Sequence, residues 1–195
     1  MDNKLLAFLK ELERLGDEND AQAQDRSHKM LNITPDTGEF LFLLIRALKA
    51  KRVLEIGTSN GYSTLWLAGA VQPFGGTVTT LEVSPHKAEM ARSNFERAEL
   101  HEWIELRVMD AGVFLKQQGQ DAFDFVFLDS DRKEYISWWR DLQRVLVKGG
   151  LLVIDNAISH ANEMEDFVRA IRQTQGCIAV LVPVGKGELV VLKEA

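Results

Sequence analysis

Val53-Leu54-Glu55-Ile56-Gly57-Thr58-Ser59-Asn60-Gly61-Tyr62-Ser63 reads as a short buried strand running into a glycine-broken loop that opens a helix. Val53, Leu54 and Ile56 form the β-branched and apolar run of a parallel core strand. Gly57 and Gly61 remove side chains where the backbone must turn sharply or approach a ligand. A loop of this build grips a nucleoside-bearing ligand. Glu55 sets a carboxylate inside the apolar run, and an unpartnered buried charge is costly, so it is expected to face a ligand or a polar cleft.

From Arg52 onward apolar strands alternate with amphipathic helices. Strands are expected at 52–56, 77–83, 103–108, 123–128 and 151–154, and helices at about 62–71, 85–98, 111–118, 133–147 and 162–173. This alternation predicts an α/β, Rossmann-like doubly wound sheet, mostly parallel, with helices on both faces. The end of the chain breaks the rhythm: Ile178 to Val184, the turn Gly185-Lys186-Gly187, and Glu188 to Leu192 predict an antiparallel C-terminal hairpin at the sheet edge.

Ahead of the alternation, Leu5, Phe8, Leu9, Leu12 and Leu15 lie at helical spacing, giving a helix that stops near Gly16 and Asp17. Its apolar stripe covers this chain's own sheet or crosses to a partner. Glu18 to His28 reads as a loop, and Ile33 to Gly38 as the entry to a helix through Phe40–Leu48. Residues 1–50 are thus a helical cap or lid on a core at 51–195, within one domain.

The chain has 195 residues, 46% hydrophobic and 27% charged, which suits one well-packed unit. A net charge of -6 without a basic stripe argues against a nucleic-acid partner. The single cysteine, Cys177, excludes an intrachain disulfide framework and fits a reducing compartment. The first twenty residues carry acids throughout, so neither a signal peptide nor a membrane span is expected there. These features place the protein in the cytoplasm.

Doubly wound sheets bind ligands at the carboxyl ends of their strands, around the switch point. Glu82 ends the second strand, in Thr80-Leu81-Glu82-Val83-Ser84, about 20 residues after the glycine loop, where a carboxylate accepts both hydroxyls of a ribose. Asp110 follows the third strand, where it meets an adenine or caps the next helix. A dinucleotide site would need G-x-G-x-x-G against a pyrophosphate, and Thr58, Ser59 and Asn60 between Gly57 and Gly61 miss that spacing. A cofactor without phosphate needs no such cradle.

EIGTSNGYS with the acid at Glu82 resembles the first two motifs of class I S-adenosylmethionine-dependent methyltransferases. Downstream, Phe123 to Tyr135 and Gly149 to Asn156 resemble the cation-dependent O-methyltransferases, the group of the catechol and caffeoyl-coenzyme A enzymes, over residues 33–195. The resemblance implies S-adenosyl-L-methionine along Glu55, Gly57, Thr58, Ser59, Gly61, Tyr62, Ser63, Glu82, Val83, Asp110, Ala111 and Asp129. It implies a divalent cation, magnesium, manganese or calcium, on Asp129, Asp155 and Asn156, an oxygen-only set suited to hard ions. It further implies a small hydroxylated acceptor, oriented and acidified by that ion, and a homodimer.

Two departures stand out. Where the family carries a Lys three residues after the first metal-binding Asp, this chain has Arg132, which stays protonated and stabilises an oxyanion instead of acting as a base. Lys133 is its neighbour. The segment after Asn156 also lacks the longer insertion of many family members, and His160 within it is a candidate base. The reading is therefore an O-methyltransferase acting on a catechol-like acceptor, with Arg132, Lys133 and His160 as catalytic candidates. A metal-independent methyltransferase and a non-catalytic S-adenosylmethionine-binding protein are its alternatives. Trp138 and Trp139 read as packing residues, and Met30 with Asp25 to Leu31 as a lid.

Overall fold

In the computed structural model, which describes residues 1–25 and 28–194, two helices precede the alternation: α1 (Asn3–Gln22) and α2 (Pro35–Leu48). Helix α1 runs past Gly16 instead of stopping there. Gly16 is buried in the helix, and a Cβ on it would sit 2.3 Å from the Asn32 side chain, so this glycine serves close packing and not termination. Asn32 in turn donates from Nδ2 to the Leu12 carbonyl at 3.1 Å. Leu5, Leu9 and Leu12 are buried with Leu65 and Leu67 of the chain's own core, which answers where the apolar stripe packs.

The alternation then follows as β1 (Arg52–Ile56), α3 (Tyr62–Val71), β2 (Thr77–Glu82), α4 (Pro85–Arg97), β3 (Ile104–Val108), α5 (Ala111–Gln117), β4 (Phe123–Leu128), α6 (Tyr135–Val145), β5 (Leu146–Ile154) and α7 (Glu165–Gln173). Two strands close the chain, β6 (Cys177–Val182) and β7 (Glu188–Lys193). Among the described residues they form one seven-stranded sheet in the order β3-β2-β1-β4-β5-β7-β6. Strands β1 to β5 are parallel, and β7 is antiparallel to both β5 and β6. The antiparallel strand thus lies one in from the edge, and β6 is the edge itself.

One apolar cluster on one face joins α1, α2 and α3 to the sheet, and a second on the other face gathers α5, α6 and α7. Strand β5 starts at Leu146, earlier than expected, so the last two residues of the expected helix, 146 and 147, are strand instead. Its pairing with β4 shifts register between Phe123 and Phe125. Gly150 approaches the Asp124 carbonyl there, closer than a side chain would allow. The carboxyl ends of β1, β2, β4 and β5 converge beside the point where the strand order reverses, the crevice such sheets offer to ligands.

Candidate active site

The glycine loop is built around Glu82. After β1, the N–H groups of Gly57 and Thr58 donate to the Leu81 carbonyl at 3.0 and 3.2 Å. Gly57 has φ +111° and lies so close to the Asp129 carbonyl that a Cβ would sit 2.0 Å from it, so both conformation and space require glycine. Ser59 takes a left-handed φ of +49°. Its N–H then donates to Glu82 Oε2 at 2.8 Å, while Val83 and Ser84 donate to Oε1 at 2.9 Å each. Three backbone donors hold this carboxylate at the wall of a cavity of about 650 Å³.

Gly57, Thr58, Ser59, Tyr62, Ser63, Glu82, Val83, Asp110, Ala111 and Asp129 line that cavity, as do Arg132 and Lys133. Asp110 also caps α5, accepting from the Val113 N–H at 2.8 Å. Gly61 lies outside the lining, its φ of +86° and its closeness to the Phe95 ring explaining the glycine. Glu55 does not face the cavity either. It is fully buried beneath the loop, where Ser63 and Thr80 donate to it at 2.6 Å and Thr64 at 2.5 Å. Burial raises its pKa to about 7 against the pull of those three hydroxyls. The partners that make burial tolerable are hydroxyls spread over 63, 64 and 80, which no local pattern around Glu55 reveals.

Asp129 ends β4, and Asp155 with Asn156 ends β5. The Asn156 backbone N–H and Nδ2 donate to Asp155 at 2.7 and 2.5 Å, and Nδ2 also reaches Asp129 Oδ1 at 3.5 Å. Asp129 and Asp155 are both pushed up chiefly by burial, Asp129 to about 8 with the charges of Asp155 and Glu55 adding to it. Asp155 and Asn156 stand behind Asp129, outside the cavity lining. Glu188, which the sequence analysis read only as a strand start, is fully buried, accepts from Thr37 Oγ1 at 2.9 Å, and is pushed up to about 10 by burial and then by Asp155. Among the described residues no three acidic, His or Cys side chains form a cage for a metal ion.

Tyr135 steadies the turn after β4, accepting from the Ser130 N–H at 2.7 Å. Arg132 in that turn is buried and donates from Nε to Glu163 Oε2 at 2.9 Å. His160 is not in the cavity lining; its Nδ1 pairs with Ser159 Oγ at 2.8 Å. Of the adjacent tryptophans, Trp139 packs edge-on to Phe167, whereas Trp138 reaches the cavity wall beside Ala111. Met30 to Ile33 close the wall over the loop. Ser59 Oγ donates to the Met30 carbonyl at 2.6 Å, and Asp20 accepts from the N–H groups of Met30 and Leu31 at 2.7 and 2.9 Å. The expected lid stretch 25–31 is described here except for residues 26 and 27, which lie outside the described residues.

A family model described as O-methyltransferase matches residues 6–188. The catechol O-methyltransferase of Niastella koreensis is 35% identical over 139 residues, covering 70% of this chain and 62% of that protein. The catechol O-methyltransferase of Mycobacterium tuberculosis is 40% identical over 126 residues, 65% of this chain and 57% of that protein. The matched region thus spans less than two thirds of these curated relatives. The crystal structure of the O-methyltransferase from Bacillus cereus in complex with SAH superposes with a TM-score of 0.80 at 28% identity, covering 96% of this chain and 91% of that one. On the family match, which takes in nearly the whole chain, this protein belongs to the O-methyltransferase family.

Proposed function

We propose that this chain transfers a methyl group from S-adenosylmethionine to a hydroxyl of a small, catechol-like acceptor, with a divalent cation assisting. The observation that carries the reading is one cavity with a triply held carboxylate, Glu82, on one wall and Asp129 on another, with no pyrophosphate cradle in its glycine loop. Glu82 suits ribose hydroxyls, and Asp110 and Ala111 border the place for the base. The SAH-bound Bacillus cereus relative and the two catechol O-methyltransferases support both cofactor and acceptor class.

The chain's own residues fit a hard cation. Two buried carboxylates that repel each other are relieved by positive charge between them, and turning the Asn156 amide over would bring its Oδ1 to the same point. Asp129, Asp155 and Asn156 would hold the ion, which would supply orientation and acidification of a hydroxyl. Arg132, always protonated, would stabilise the developing oxyanion, and Lys133, which also lines the cavity, is the candidate base, taking the proton in its neutral amine form. The acceptor's oxygen then attacks the sulfonium methyl carbon, leaving S-adenosylhomocysteine.

A metal-independent reading is favoured by one observation: burial raises the pKa of both Asp129 and Asp155, and Arg132 and Lys186 pull against that rise, so positive charge is built into the site. In that reading His160, outside the cavity lining as Asp155 and Asn156 are, stays the candidate base. Residues 1–50 are proposed as a cap whose 30–33 stretch closes the cofactor side. The single cysteine supports a reducing, cytoplasmic setting, no helix among the described residues is long and apolar enough to cross a membrane, and the family resemblance supports a homodimer. The test is incubation with methyl-labelled S-adenosylmethionine and a panel of vicinal diols, with magnesium or with chelator. Label on an acceptor oxygen, lost with chelator, supports the reading; label unaffected by chelator favours the metal-independent one.

A further inference from the structure

We infer that Glu188 is a further residue of the cation site: facing Asp155 across the β5–β7 pair, its carboxylate supplies charge that draws a divalent ion to the end of β5. The inference rests on the metal-assisted reading above and deepens it with a residue from another strand. Ile154 pairs with Leu189 in the antiparallel β5–β7 ladder, so one step further on Asp155 stands opposite Glu188. The two segments stay together past that point, where the Ala157 N–H donates to the Gly187 carbonyl at 2.7 Å. Opposed residues of an antiparallel pair share a face with their Cβ atoms about 5 Å apart, and like charges set there are destabilising. Here both members are carboxyls and both are buried, Asp155 4% and Glu188 0% exposed.

The start of α2 holds Glu188 in this place. Thr37 donates to Oε1 at 2.9 Å, and Thr34 donates to Thr37 Oγ1 at 3.1 Å. Among the described residues no N–H or O–H donor reaches the buried Oε2, and the side chain's other neighbour is the Asp155 carboxyl. A buried carboxylate oxygen without a donor is costly. Burial, then Asp155, and also Asp129, push Glu188 upward, so three acids act on one another. Arg132 beside them is already paired with Glu163 at 2.9 Å. A shared proton would answer Glu188 and Asp155 alone, whereas a divalent ion offsets all three acids. The three do not close into a cage as they stand, with Asp155 accepting from Asn156 Nδ2 at 2.5 Å. Glu188 therefore enters as charge and support behind Asp155. Like Asp155 it lies outside the cavity lining, so its reach is to the ion and not to the cofactor.

The experiment measures S-adenosylhomocysteine affinity first, then titrates magnesium, and separately manganese, into the saturated complexes of wild type, Glu188→Gln and Thr37→Val. Thermal unfolding of each metal-free protein is followed beside it. Glu188→Gln keeps the shape and the acceptor for Thr37 but removes the charge. It is expected to weaken both ions about tenfold, to leave S-adenosylhomocysteine within about twofold, and to raise the metal-free melting temperature by a few degrees as the repulsion goes. A purely structural Glu188 would lower that temperature instead. Thr37→Val keeps the charge and should hold ion affinity within about threefold. Should Glu188→Gln not fold, Glu188→Met, close in volume and uncharged, is read in its place. A loss of ion affinity below about threefold in Glu188→Gln means that the acid does no more than share a hydrogen bond with Asp155, and overturns the inference while the cation reading stands. An ion loss matched by an equal loss of S-adenosylhomocysteine, or an equal ion loss in Thr37→Val, overturns it as well. Silence of wild type toward magnesium and manganese overturns the inference and the metal-assisted reading together.

Discussion

Arg132 Nε lies 2.9 Å from Glu163 Oε2, tying the turn after β4 to the segment after β5 at the wall of the cavity. The guanidinium is buried while the carboxylate is half exposed, and the same cation pulls against the burial that raises the pKa of both Asp129 and Asp155. On the proposed reading it would compete with a metal for the field of those acids while serving the oxyanion. Arg132→Ala should lower the methyl-transfer rate about a hundredfold, the usual scale for one electrostatic stabiliser, and yet tighten magnesium binding several-fold. Steady-state rates beside magnesium calorimetry check this, and a fall in both would mean that Arg132 holds the site together instead.

Glu82 is expected to carry cofactor affinity. Glu82→Ala removes an acceptor for two ribose hydroxyls and strands the N–H groups of Ser59, Val83 and Ser84. Affinity for S-adenosylhomocysteine should fall about a hundredfold or more, with a lower melting temperature. Unchanged affinity in a folded variant would move the ribose elsewhere.

Asp155 separates metal from cofactor. It lies behind the cavity wall, so Asp155→Ala should abolish metal-dependent transfer and leave affinity for S-adenosylhomocysteine within about threefold. Equilibrium binding and turnover, measured on one preparation, test the split; a large loss of cofactor affinity would contradict the assigned role.

Glu55 gives stability a pH dependence of definite sign. Its pKa is about 7 in the fold against 4.5 for an ordinary glutamate, so between those values the folded chain keeps a proton that the unfolded chain has released. Stability from this group is fully present below about pH 4.5 and is lost as pH rises through 7, in all about 3 kcal/mol. Glu55→Gln, which stays neutral, should flatten the fall in unfolding free energy between pH 5 and 7.5, read from urea titrations. A variant that parallels wild type across that window would place the ionisation elsewhere.

Much of this was legible in the residues. Strand β1, its loop and the acids at 82, 129 and 155 follow local patterns, because they sit at the carboxyl ends of strands in a doubly wound sheet, where Glu82 and Asp129 line the cavity and Asp155 stands behind it. The partners of Glu55 lie on α3 and β2, so an acid that reads as ligand-facing proves to be an internal keystone. Glu188 meets Thr37 across 151 positions, and nothing near either residue announces the other. Gly16 reads as a stop because glycine usually ends helices, yet here it admits Asn32. Trp138 reaches the cavity because its neighbour Trp139 takes the core face, a division that adjacency suggests without telling which ring goes where.

The most direct test is a calorimetric titration of S-adenosylhomocysteine into the protein, followed by magnesium into the saturated complex, run beside Asp155→Ala. The account predicts cofactor binding to both proteins and magnesium binding to wild type alone. Absence of S-adenosylhomocysteine binding to wild type would contradict it at its root. Binding of the cofactor with magnesium, manganese and calcium all silent would contradict the role given to Asp129, Asp155 and Asn156.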